Sequence, residues 1–132
     1  MLIIILFLTI TVVLFIFSSK TLSPIPYFPS QPVDIPLIIK ALNLKNNQTV
    51  FDLGAGDGIV IFKAAQQSYE QKLNTQFVAV EINPVLIIIL HFRRLFHKNK
   101  KNIKIIRDDM FKMNFESFMY GSVATDPYKI TL

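Results

Sequence analysis

Val50-Phe51-Asp52-Leu53-Gly54-Ala55-Gly56-Asp57-Gly58-Ile59 is a short apolar run interrupted by an acid, then three glycines at alternate positions, then the start of a second apolar run. As backbone it reads as a strand, a sharp loop and the first turn of a helix. Glycine reaches positive φ and has no side chain, so such a loop can bring backbone N–H groups against a ligand. The N-terminus of the following helix adds positive potential. A dinucleotide fingerprint reads G-x-G-x-x-G. Here the sixth position is Ile59, and the third glycine, Gly58, falls one place early. That departure counts against an NAD-binding fragment.

The flanking sequence continues in the same style. Asp34 is placed to cap a helix running to about Leu44, with Ile35, Ile38, Ile39 and Leu42 on one face, and Asn46-Asn47 then turns the chain. Thr49–Leu53 reads as the first strand, Gly58 to about Tyr69 as a helix, and Gln76–Val80 as the second strand. Asn83 caps and Pro84 opens a helix to about Lys98, and Ile103–Ile106 is the third strand. Strands alternating with helices of this length predict an α/β fold with a parallel sheet. Glu81 lies at the carboxyl end of the second strand, 23 positions after Gly58, where a carboxylate can accept both hydroxyl hydrogens of a ribose. NAD enzymes carry the same acid, so Glu81 supports nucleoside binding without choosing a cofactor.

The chain of 132 residues caps the protein at one domain, and it lacks cysteine altogether. Disulfides, a thiolate nucleophile and a cysteine zinc site are thereby excluded. His91 and His97 lie six apart, which is not the i, i+4 spacing of paired metal ligands, so no metal site is expected. The net charge is +5. Its Lys and Arg are scattered except near 93–107, where they read as the solvated end of a helix, and nucleic acid is not favoured as a partner. Residues 2–17 hold no charge, and only Thr9 and Thr11 are polar. Neither a basic segment before the run nor a small-residue cleavage site after it is present, as a secretory signal would require. The expectation is a single-pass transmembrane anchor over residues 1–19, attached to the membrane through residues 2–19. Lys20, Lys40 and Lys45 put the domain on the cytoplasmic side by the positive-inside rule. Residues 20–33 form a proline-rich linker, read either as a stiff spacer or as a strap over the domain that occupies residues 34–132.

Taken together, these motifs resemble a Rossmann-like class I S-adenosylmethionine-dependent methyltransferase. The resemblance implies S-adenosyl-L-methionine as cofactor, with Gly54, Gly56 and Gly58 facing its methionine part and Asp52 and Asp57 balancing its positive charge. In such enzymes an acid after the third strand contacts the adenine amino group, and the next apolar residue packs on the ring. Asp109 and Met110 fill those places, with Asp108 as the alternative. A narrower similarity is to the membrane-anchored lysine methyltransferases of the ATP synthase c subunit and the adenine nucleotide translocase. It rests on Pro26-Tyr27-Phe28-Pro29-Ser30, on the glycine loop and on Glu81-Ile82-Asn83-Pro84. It implies a protein substrate carrying a lysine side chain.

The similarity covers about residues 24–115. A complete class I domain has seven strands, so the sequence predicts a domain truncated after strand 3 or 4, with an exposed sheet edge and weak or absent cofactor binding. Asp126-Pro127-Tyr128 is similar to a loop of amino-group methyltransferases, but it lacks a proline and a clear preceding strand. No catalytic residue is assigned. The competing reading is a non-catalytic membrane-bound remnant or interaction module.

Overall fold

The computed structural model describes residues 1–114. The tripeptide Asp126-Pro127-Tyr128 and any fourth strand lie outside the described residues. Three parallel strands, β1 (Thr49–Leu53), β2 (Gln76–Glu81) and β3 (Ile103–Arg107), form a sheet in the order β1-β2-β3. Val50 pairs with Phe77 and Phe77 with Ile103. These three therefore share one face of the pleat. Against that face pack α2 (Ile35–Leu42), α3 (Ile59–Glu70) and α4 (Pro84–Phe96). One continuous core results, joining Ile35, Ile39, Phe62, Ala65 and Leu90 to Val50, Phe77, Ala79 and Ile103.

Local chemistry sets the boundaries. The cap of α4 is Asn83, whose Oδ1 accepts the N–H groups of Val85 at 2.9 Å and Leu86 at 3.4 Å. α4 stops at Phe96 rather than Lys98, because His97 is extended. There His97 Nδ1 accepts the Asn99 N–H, so Nε2 carries the proton toward the Phe62 carbonyl, 3.0 Å away. Burial lowers the His97 pKa. Asp34 occupies the N-cap position of α2 but accepts no capping hydrogen bond, and α2 ends at Leu42 because Asn43 turns left-handed at φ 47°.

The N-terminal segment corrects an expectation. α1 spans Leu2–Ser18, 17 residues, and buries none of them. At about 1.5 Å per residue its length is about 26 Å, short of a hydrocarbon core of about 30 Å. No helix among the described residues is long and apolar enough to cross a membrane. The helix ends where Ser19 adopts an extended conformation, and a turn closed by Ser23 N–H on the Ser19 carbonyl redirects the chain.

Asn83 is 1% exposed, and its Nδ2 finds no partner among the described residues. Replacing it with alanine removes the cap and should cost about 1 kcal/mol in urea unfolding. Asn83→Ser keeps an acceptor while deleting the unpaired donor, and it should recover most of that loss.

Candidate functional site

The three strands deliver their loops to one end of the sheet. Gly54 and Ala55 donate to the Val80 carbonyl at 2.9 and 3.0 Å, which folds the glycine loop over the tip of β2. The side chain of Glu81, only 8% exposed, is central. One carboxylate oxygen accepts the Gly56 N–H at 2.9 Å, and the other accepts those of Ile82 at 2.8 Å and Asn83 at 2.9 Å. The Glu81 carbonyl accepts the Asp108 N–H at 3.1 Å.

A cleft of about 260 Å³ opens beside this junction. Gly54, Gly56, Glu81, Asp108, Asp109 and Met110 all line it. Its other wall is the segment Ser23–Phe28, so the proline-rich linker is a strap over the site and not a free spacer. Gly54 and Gly56 hold φ of +74° and +58°. A Cβ on Gly54 would stand 3.4 Å from Met110 Sδ, and one on Gly56 would stand 2.9 Å from the Tyr27 ring. Gly54 is thus favoured by its conformation, and Gly56 is favoured twice, by conformation and by the closeness of the Tyr27 ring.

The other expected residues do different work. Gly58 begins α3 with φ +79°, and a Cβ there would run into Leu90 at 2.5 Å and Phe62 at 2.7 Å. Its role is close packing of the helices. Asp57 does not line the cleft. Its carboxylate pairs with Arg93 of α4 at 3.2 Å and accepts the Ile59 N–H at 3.3 Å. The Tyr27 phenol lies near the same carboxylate, and burial together with the Asp57 charge raises its pKa. Arg93 is therefore not simply solvated, and Tyr27 is a site residue that reading by spacing missed. The Pro26-Tyr27 element was the available signal. Asp109 lines the cleft, yet its carboxylate also accepts the Phe111 N–H at 3.0 Å and meets Lys112 at 3.7 Å. Asp108 holds the Asp109 N–H at 2.7 Å.

Asp52 pairs in register with Ala79 on the helix-bearing face, and it does not line the cleft. Burial, reinforced by the nearby Glu81 charge, pushes its pKa from 3.8 up to about 6. The folded state then holds the Asp52 proton more tightly than the unfolded chain does. Asp52 opposes folding above about pH 6, and that penalty is relieved as pH falls toward 3.8. The shift corresponds to an upper bound of about 3 kcal/mol. Asp52→Asn should raise stability in denaturant at pH 7.5, and its advantage over the parent should shrink as pH drops through that window. Gly56→Ala forces a left-handed alanine against Tyr27, and it should abolish ligand binding while costing about 1–2 kcal/mol of stability.

Several known proteins share this arrangement. The family model for ribosomal RNA adenine dimethylase matches residues 28–132. A probable ribosomal RNA small subunit methyltransferase A from Methanosphaera stadtmanae is 27% identical over 95 residues, covering 72% of this chain and 32% of that protein. The lysine N-methyltransferase of the ATP synthase c subunit from Caenorhabditis elegans is 25% identical over 100 residues, covering 71% of this chain and 50% of that one. This chain therefore spans between about a third and a half of the curated relatives it matches. Among solved structures, an RNA methyltransferase from Salinibacter ruber in complex with S-adenosyl-L-homocysteine superposes with a TM-score of 0.57 at 18% identity. That match covers 67% of this chain and 54% of that one. The parallel sheet and its glycine loop are those of the class I methyltransferase fold, and the chain belongs to the ribosomal RNA adenine dimethylase family.

Proposed function

We propose that this chain is the cofactor-binding part of an S-adenosylmethionine-dependent methyltransferase whose acceptor is the amino group of adenine in ribosomal RNA. The observation that carries the reading is the meeting of Gly54, Gly56, Glu81, Asp109 and Met110 on one cleft at the ends of three parallel strands. The residues fit the cofactor in kind. Two glycines leave the room that a Cβ would fill, acids suit a cationic nucleoside, and Met110 gives an apolar surface for a base. When bound, S-adenosylmethionine supplies an electrophilic methyl group. The protein's part is to align donor and acceptor and to exclude water. Three of the Glu81 acceptor positions are taken by backbone N–H groups. About one remains to receive a ribose hydroxyl.

The adenine acceptor is preferred to the lysine expected from sequence, because the matching family and the archaeal relative are both named for ribosomal RNA. Lysine stands as the second reading. It is favoured by the nematode relative, of which this chain covers the larger share, and by Pro26-Tyr27-Phe28-Pro29-Ser30 in the strap that walls the cleft. The proposal includes attachment of α1 to a membrane, with the domain on its cytoplasmic side. Attachment is supported by the exposed apolar surface of α1 and by Lys20 just beyond its end.

The test is incubation of the full chain with S-adenosylmethionine tritiated on the methyl group, in the presence of small-subunit ribosomal RNA or of membranes. Tritium recovered as N6-methylated adenosine in a nuclease digest is the expected result. Tritium on lysine after acid hydrolysis selects the second reading. Cofactor binding without transfer to either identifies a non-catalytic module.

A further inference from the structure

α4 buries Leu86 and Leu90 against the core. Its opposite side is also hydrophobic. Ile88, Phe92, Leu95 and Phe96 are 68%, 65%, 60% and 72% exposed, and their spacing of four, three and one puts them on a single stripe. The rings of Phe92 and Phe96 meet edge to face, 5.2 Å between centroids, so the stripe is a formed surface. An ordinary solvated helix does not carry four such residues in a row.

Two further observations say what covers it. First, α4 is in contact with α1. α1 shows apolar side chains in every direction, and even its Thr9 and Thr11 hydroxyls are turned back onto the carbonyls of Ile5 and Phe7 at 2.8 and 2.9 Å. A protein partner covers one side of a helix. An apolar surface all the way round calls for an apolar medium, and α4 sits at its boundary. Second, residues 82–107 hold no Asp or Glu, and besides Arg93, which pairs with Asp57, Arg94, Lys98, Lys100 and Lys101 crowd the end of α4. Lys100 Nζ lies 3.4 Å from the Leu95 carbonyl, and Arg94 Nε donates to the Lys100 carbonyl at 3.2 Å, so the charge is tied to the end of the stripe. An apolar stripe with a basic end matches the headgroup boundary of an anionic bilayer.

We propose that the outer stripe of α4 is a second membrane contact, which lies on an anionic bilayer surface beside α1 and fixes the orientation of the domain. The inference rests on the membrane attachment of α1 proposed above. With α1 too short to span, both elements enter one leaflet, and the cleft is held at a set height above the lipid.

The absence of cysteine makes the test direct. Phe7→Cys, Leu95→Cys and Lys45→Cys each place one environment-sensitive fluorophore, on α1, on the α4 stripe and on the exposed loop before β1. The full-length chain is added to vesicles of phosphatidylcholine and phosphatidylserine carrying a spin-labelled acyl chain. The expected result is a blue shift and quenching of the Phe7 and Leu95 probes with the Lys45 probe unchanged. Paired Phe92→Ser and Phe96→Ser changes should weaken partitioning about tenfold per ring. Omitting phosphatidylserine should weaken it about fivefold for each engaged basic residue. A response at Phe7 but not Leu95 overturns the α4 contact and leaves the α1 attachment standing, whereas silence at both removes both. A Leu95 shift that follows protein concentration without vesicles assigns the stripe to a second copy. Protection of the Leu95 probe by single-stranded RNA alone assigns it to nucleic acid. A response at Lys45 as well shows no fixed orientation. Each of these last three outcomes overturns the proposal.

Discussion

Glu81 holds the ligand-facing end of the molecule together. Its carboxylate reaches back to the Gly56 N–H and forward to those of Ile82 and Asn83, and its carbonyl takes the Asp108 N–H. The loops after β1, β2 and β3 therefore all close on one residue. A carboxylate this buried would be costly in isolation, and three N–H donors offset much of that cost. In return the backbone of the glycine loop is fixed relative to the next two strands. The positive φ values at Gly54 and Gly56 are not local accidents, because the loop must bend sharply enough to present its N–H groups to Glu81 and to the Val80 carbonyl.

The same acids decide what the cleft can accept. Glu81, Asp108 and Asp109 line it, and Asp52 lies close enough to Glu81 for the two charges to oppose each other. Of the cations near it, Arg93 pairs with Asp57, the exposed Lys112 meets Asp109 at 3.7 Å, and Arg107 donates to the Ile82 carbonyl at 3.4 Å. A pyrophosphate would bring two more negative charges into this field. A nucleoside bearing an ammonium and a sulfonium brings the opposite sign and lowers the pKa of every acid it approaches. The electrostatics therefore argue for the methyl donor over a dinucleotide on grounds independent of the glycine spacing. They also connect binding to pH, since a cationic ligand drives off the proton that Asp52 retains below about pH 6.

Most of the fold was legible because its signals are local. Asn83-Pro84 announced a helix start, the apolar runs gave the three strands, and the strict order of strand and helix implied parallel pairing. What failed to show in the sequence depends on distance in space. Arg93 is basic at the end of a helix, which ordinarily means solvent, yet it reaches a carboxylate 36 positions earlier. Asp57 and Gly58 fit a ligand-binding loop by spacing, and their contacts with Arg93, Leu90 and Phe62 were not visible in it. Asp34 has the right identity for a cap and the wrong backbone geometry to serve as one. Hydropathy marks the apolar run of α1 but does not say where the helix stops, and Ser19 stops this one.

The strap joins matters that the sequence presents as separate. Phe17 at the end of α1 packs on Tyr27 at 6.5 Å between ring centroids. Tyr27 lies over Gly56 and feels the charge of Asp57, and Asp57 is held by Arg93 on α4. A continuous set of contacts thus runs from the N-terminal helix, across the wall of the cleft, to the helix that carries the exposed stripe. The cleft of about 260 Å³ falls just below the usual range of about 300–1,000 Å³ for small-molecule sites. The strap segment Ser23–Phe28 forms one wall of it. If lipid fixes α1 and α4 on either side of that strap, it changes the free energy of moving it. Linkage then requires the converse, that an occupied cleft changes the affinity for lipid by the same factor. The coupling needs no path beyond Phe17, Tyr27, Asp57 and Arg93, and its sign depends only on whether the strap sits closer to the membrane with the cleft open or filled.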